Sequence, residues 1–178
     1  MKAHFKLDKL QEVVVWLDES PVQPFVSKNN FLTVIPFVEK PSRVFHSEVV
    51  VEFKQPRGPR CVYGLLGAKF KPSHNGDLSI EVGDGLADSR VFEESLQSII
   101  EVSKYGLFED VASTILEVLK AEVLKRGISV SGSFEVCFGA YGDVSSSQQV
   151  FKLLAKNILE IFFVENIDDE VIAKMFVG

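Results

Sequence analysis

From residue 128 to 138, Ile128, Val130, Gly132, Phe134, Val136 and Phe138 alternate with Ser129, Ser131, Ser133, Glu135 and Cys137. A strict period of two sends successive side chains to opposite faces, so this run reads as a strand with one buried face. Helical patterns lie on both sides of it. In residues 107–126, Val111, Ile115, Val118 and Leu119 form one stripe. Acidic residues open this helix, Lys125 and Arg126 close it, and Gly127 follows as the stop, an order that suits the helix dipole. After the strand, Gly139-Ala140-Tyr141-Gly142 reads as a turn. Ser145 and Gln148 then have the spacing of a capping box ahead of a helix burying Phe151, Leu154, Ile158 and Phe162. A short helix over 168–176 ends the pattern.

The first half reads as strands. Residues 44–53 are apolar and β-branched. Residues 54–60 read as a loop, because Pro56 and Pro59 have no amide to donate, and 61–70 is the returning strand. Asn75-Gly76 signals a tight turn before alternation at Leu78, Ile80 and Val82. Residues 10–17 fit a short strand or a helical turn, and Pro36 demotes 31–38 to an edge strand. The expected fold is α+β. It has a mostly antiparallel sheet of about four strands in βββ-αβα order, with two helices packed on one face. The domain is expected to span 44–178, preceded by an N-terminal extension (1–43) that is itself able to form strands.

Composition sets outer limits. With 178 residues, 46% apolar and 25% charged, the chain can bury a full core. No run of about 18 apolar residues occurs, so no membrane-spanning helix is expected, and the start has no signal-peptide pattern. The expected location is the cytoplasm. The net charge of −6 repels nucleic acid overall, yet residues 40–71 carry seven basic groups against Glu48 and Glu52, a local balance of +5.

Residues 139–152, Gly139-Ala140-Tyr141-Gly142-Asp143-Val144-Ser145-Ser146-Ser147-Gln148-Gln149-Val150-Phe151-Lys152, resemble the G-S-Y-H-E-V-D-S-S-E-x-A-F-K run of domain IV of translation elongation factor G. That domain also occurs in the ribosomal protection proteins that remove tetracycline. Tyr63-Gly64 after Arg57-Gly58 is similar to the family's R-G-Q-Y-G turn, with a longer loop here. Gly106-Leu107-Phe108 stands where the family opens a helix, and Asn75-Gly76 falls at a corresponding turn. The resemblance covers residues 44–163. It implies a left-handed β-α-β crossover, against the usual right-handed rule. It also implies a wedge without chemistry, whose two tip loops enter the decoding site of the small ribosomal subunit. Here those loops correspond to residues 54–63 and 139–143. The resemblance thus makes Lys54, Arg57, Arg60, Tyr63, Tyr141 and Gly142 the candidate contacts for ribosome or RNA. The cations would meet phosphate, and Tyr63 would stack on a base. The family's tip histidine is replaced by Gly142.

Other constellations are thin. No G-x-x-x-x-G-K-[ST] run occurs, so GTP is not expected. His4, His46 and His74 have no metal-ligand spacing, and Cys61 and Cys137 read as free thiols, with a redox pair as the alternative. The carboxylates of Asp84, Asp88, Glu93 and Glu94 read as a solvated loop, with a cation site as the alternative. The Ser145-Ser146-Ser147 run lacks a histidine beside it. No catalytic residue, metal or cofactor is expected, and the chain does not read as an enzyme. The alternative to ribosome or RNA binding is a protein-protein interaction module, which could also bind another copy of itself. That reading draws on the apolar residues Val13, Val14, Val15, Trp16 and Phe25.

Overall fold

A computed structural model describes residues 1–7, 10–37, 40–74, 76–85 and 90–177. Its strands are β1 (Lys2–Lys6), β2 (Glu12–Leu17), β3 (Asn29–Pro36), β4 (Glu48–Arg57), β5 (Arg60–Pro72), β6 (Asp77–Asp84), β7 (Ser103–Tyr105) and β8 (Gly132–Gly142). Its helices are α1 (Glu109–Arg126), α2 (Gln148–Ile161) and α3 (Asp169–Val177). The main path of the sheet runs β1-β2-β4-β5-β8-β6-β3, with β7 pairing to the far end of β8. Every pairing is antiparallel except β6 with β8, which the α1 segment connects.

The α+β class and the mostly antiparallel sheet are as expected, but the described residues form eight strands where about four are expected, and the short helix expected over 168–176 is α3, beside the two that pack on the sheet. The difference comes largely from residues 1–43. β2 pairs with β4, and β3 pairs with β6, so the N-terminal segment supplies strands on both flanks of one sheet. β3 is an edge strand, as Pro36 requires; Val38 lies outside the described residues. In β2, Val13, Val15 and Leu17 face the helical side while Val14 and Trp16 face the other. A strand buried on both faces has no polar alternation to reveal it. Val13, Val14, Val15, Trp16 and Phe25 are buried in the chain's own core, so they offer no surface to a partner. A chain starting at Arg43 is accordingly expected to lose its cooperative thermal transition. A sharp melt in that variant would contradict this sheet.

α1 and α2 pack together on one face, α1 over β6 and β3, and α2 over β5 and β4. The core between them holds Ile115, Leu119, Phe151, Leu154 and Ile158 from the helices and Val51, Phe53, Leu66, Ile80 and Phe134 from the sheet. Phe176 of α3 stacks on Phe53 with ring centroids 5.4 Å apart. α1 ends as its sequence dictates, with Gly127 left-handed at φ 62°. On the opposite face, Phe92, Leu96 and Tyr105, from the segment before α1, cover Trp16, Val50, Leu65 and Phe138.

Three local expectations fail. Residues 54–57 and 60 continue strands β4 and β5 instead of forming a loop. β8 is displaced toward the C-terminus, so Gly139-Ala140-Tyr141-Gly142 is strand and the turn begins at Asp143. Gly139 is needed for close approach: a Cβ there would lie 2.7 Å from Leu107 Cγ and 2.9 Å from the Gly106 carbonyl oxygen. The capping box does not form either. Ser147 is the N-cap of α2 and makes no capping hydrogen bond, while Gln148 Nε2 donates to Asp110 Oδ2 at 2.9 Å.

Candidate nucleic-acid interface

β2 accompanies β4 only as far as Lys54, and β8 accompanies β5 only from Leu65. The intervening hairpin therefore projects past the sheet as a two-stranded ribbon. Pro56 is tolerated because β4 has no β2 neighbour at that point. Gly58 and Pro59 make the turn, with Gly58 at φ 60°, a conformation that favours glycine at the first position of a two-residue hairpin. Arg57 and Arg60 pair directly across the ribbon, immediately before and after this turn.

Both arginines are exposed. Arg57 Nε donates to Gln55 Oε1 at 3.3 Å, and no carboxylate of the described residues forms an ion pair with either guanidinium. Like charges placed directly opposite on a ribbon repel, so this pairing costs stability unless an anion joins it. Lys54 differs. Its ammonium donates to Glu12 Oε1 at 2.9 Å and is largely buried. Burial works against ionisation of Glu12, but Lys54 and His4 outweigh it and hold the carboxyl below its usual range.

The aromatic and glycine candidates lie elsewhere. Tyr63 is 0% exposed, and its hydroxyl donates to Glu52 Oε1 at 2.9 Å, so its ring has no free face for a base. Burial and the neighbouring Glu52 push its phenol well above the usual range. Tyr141 is buried against Phe108, with ring centroids 4.4 Å apart. Gly142 donates its amide to Ser146 Oγ at 3.0 Å, and a Cβ there would run into Ser145 Oγ, Gln97 Nε2 and Glu101 Oε2. A histidine at this position would point into the molecule. Of the six candidates, only Arg57 and Arg60 reach solvent together.

The turn after β8 lies beside the hairpin at the same pole. Tyr63 N donates to Ser145 O at 3.1 Å, and Ser146 Oγ donates to Tyr63 O at 2.7 Å. Glu101 takes the amides of Val144 and Ser145 at 2.7 and 3.1 Å, tying the covering segment to this turn. Ile99, Ile100, Val102 and Val144 remain exposed around it. A 240 Å³ pocket opens between Arg60, Cys61, Ile100 and Val144. On the helical side a second pocket of 390 Å³ opens between the hairpin, the start of α2 and the end of α3.

Glu52 was not among the sequence candidates. It is 2% exposed, and burial pushes its carboxyl up to about 7 against the opposing bonds from the Leu96 amide (2.8 Å) and the Tyr63 hydroxyl. Ser95, Ser103 and Gln97 extend this buried network, with Ser95 Oγ to Ser103 Oγ at 2.8 Å and Gln97 Nε2 to Ser103 Oγ at 3.0 Å. The available signal was a carboxylate in the valine-rich run 49–53, at a position sharing a face with Val50.

Cys61 and Cys137 are free and buried, and burial raises both thiols, Cys137 to about 12. Cys137 adjoins Phe138, which pairs with Gly67, six positions from Cys61. At strand rise that is about 20 Å, which rules out a disulfide between them in this fold. Among the described residues no group of three or more His, Cys, Asp or Glu is placed to hold a metal. Asp84, expected in a solvated loop, is buried and accepts the Asn29 amide at 2.6 Å; Asp88 lies outside the described residues. No helix among the described residues is long and apolar enough to cross a membrane. No family model, curated protein or solved structure matches this chain.

Proposed function

We propose that this chain is a non-catalytic, cytoplasmic domain similar to domain IV of elongation factor G, contacting ribosomal RNA through the pole that carries Arg57 and Arg60. The observation that carries this reading is their cross-strand pairing at the end of a projecting hairpin, exposed and without a carboxylate partner among the described residues. Phosphate is an anion that two adjacent guanidiniums bind well, through forked charge-assisted hydrogen bonds. On this reading the β6–α1–β8 connection is the left-handed crossover of that superfamily. The inward Gly142 removes the tip histidine, so the contact positions the domain without reproducing translocation.

A second reading, a protein-protein interaction module, is favoured by the exposed Ile99, Ile100, Val102 and Val144 beside the same tip. Cosedimentation with ribosomes at low and high salt separates the two. Contact through two cations dissociates as salt rises, whereas an apolar contact survives it.

A further inference from the structure

One edge of the sheet is unguarded. β3 ends the path opposite β1, and its residues, Asn29-Asn30-Phe31-Leu32-Thr33-Val34-Ile35-Pro36, carry no charge. Edge strands are ordinarily blunted by lysines or other charges that discourage pairing with another chain. β1 has them in Lys2 and Lys6; β3 has only its proline. Phe31 and Ile35 pack into the core on the helical side. Leu32 and Val34 alternate with them, so they lie on the other face, opposite Glu81 and Ser79 of β6, and are 61% and 54% exposed. These two apolar side chains serve no packing within the chain.

The free part of the edge follows from the register. Phe37 N donates to Gly76 O at 3.0 Å, in step with the β3–β6 pairing, so the odd-numbered residues of β3 turn their backbone groups toward β6. Asn30, Leu32 and Val34 turn theirs outward, where no backbone group among the described residues meets them. Lys28 bounds this ladder on one side, since its amide is held by Asp84 O at 2.7 Å. Pro36, which has no amide, bounds it on the other. Leu32 is midway between the two.

We propose that β3 pairs with β3 of a second copy of this chain, antiparallel about a two-fold axis at Leu32, joining two sheets into one. Leu32 then stands opposite Leu32 and Asn30 opposite Val34, each pair exchanging both backbone hydrogen bonds. Moving the axis to Thr33 sets Asn30 against Pro36 and loses an amide. The choice of a second copy over an extended segment of another protein rests on this self-match: the free donors and acceptors are symmetric about Leu32. Charge agrees with it, because two molecules of net charge −6 meet at a strand that brings no like charges together. A two-fold contact also closes, covering both edges without starting a filament. The ladder is short, so it buries less than a standard interface, and the dimer is weak and concentration-dependent. Arg57 and Arg60 take no part in it, so its test is independent of the tip reading.

Sedimentation velocity of the full chain between about 5 and 300 µM spans the range of such a contact. The average mass is expected to rise with concentration from that of a monomer toward twice that value. Leu32→Lys sets two ammoniums face to face at the axis and is expected to keep the chain monomeric throughout. Its thermal midpoint at the lowest concentration should match the wild type, because Leu32 is outside the core. Cysteine variants read the register. Opposed Cα atoms about 5.5 Å apart suit a disulfide, so Leu32→Cys is expected to form a covalent dimer under mild oxidation. The two copies of residue 34 lie about 13 Å apart along the strands, so Val34→Cys is expected to remain uncrosslinked. Cys61 and Cys137 are buried, and the wild type serves as their control. A wild type that stays monomeric at the highest concentration, or a Leu32→Lys variant that dimerises as well as the wild type, overturns the proposal. Equal cross-linking of the two cysteine variants overturns the axis at Leu32.

Discussion

Glu52→Gln is expected to raise stability by about 2–3 kcal/mol at pH 8 and to leave it nearly unchanged at pH 4. Burial under the 92–103 segment holds the native carboxyl near 7, against a usual value of 4.5. Between those values the native state keeps a proton that the unfolded chain releases. Native stability contributed by this group is therefore present below pH 4.5 and lost as pH rises through 7. The groups facing Glu52 modulate this: Lys2 favours the charged form and Glu12 opposes it, while Tyr63 and Leu96 supply donors. A glutamine oxygen still accepts from Tyr63 and Leu96, so the network survives without the charge. Urea unfolding from pH 4 to 8 reads the effect. The wild type should weaken across the upper part of the range relative to the variant, and parallel curves would show that Glu52 ionises as if exposed.

Gly139→Ala is expected to cost about 2–3 kcal/mol, the usual penalty for forcing a methyl into packed space. The added Cβ would meet Leu107 Cγ at 2.7 Å and the Gly106 carbonyl oxygen at 2.9 Å. The Gly106 amide also donates to Gly139 O at 2.9 Å, so neither backbone can retreat without breaking that bond. Gly58→Ala is the companion measurement. Its Cβ would meet nothing, and only the positive φ of 60° opposes it, for about 1 kcal/mol. Denaturant midpoints should rank Gly139→Ala as the more damaging. The reverse order would restore Gly139-Ala140-Tyr141-Gly142 as a turn and dissolve this account of β8.

That segment shows why the sequence is readable in some places and misleading in others. α1 was legible because its stripe, its charged ends and Gly127 are all local signals. The strand before α2 was legible in kind but displaced in position, because two glycines serving close approach look the same as two serving a turn. The hairpin was obscured by Pro56 and Pro59, whose missing amides matter only if a neighbouring strand needs them, and none does beyond Lys54. β2 was ambiguous because both its faces are buried, a property of its neighbours and not of its own pattern. At the candidate interface, Arg57 and Arg60 were found from charge and resemblance. Tyr63, Tyr141 and Gly142 were placed on the same grounds, and packing turned each of them inward. Glu101 was invisible because its role depends on Val144 and Ser145, 43 and 44 positions away.

The central claim is that Arg57 and Arg60 form a phosphate-contacting tip. Its most direct test is cosedimentation of the full chain with ribosomes, comparing the wild type with the Arg57→Gln/Arg60→Gln double variant at low and high salt. Both side chains are exposed and pair with no carboxylate among the described residues, so the variant should fold with unchanged or slightly increased stability. The account predicts that the wild type pellets with ribosomes at low salt, is released at high salt, and loses its low-salt association when both charges are removed. Wild-type protein that stays in the supernatant at low salt, or a double variant that pellets as well as the wild type, would contradict it.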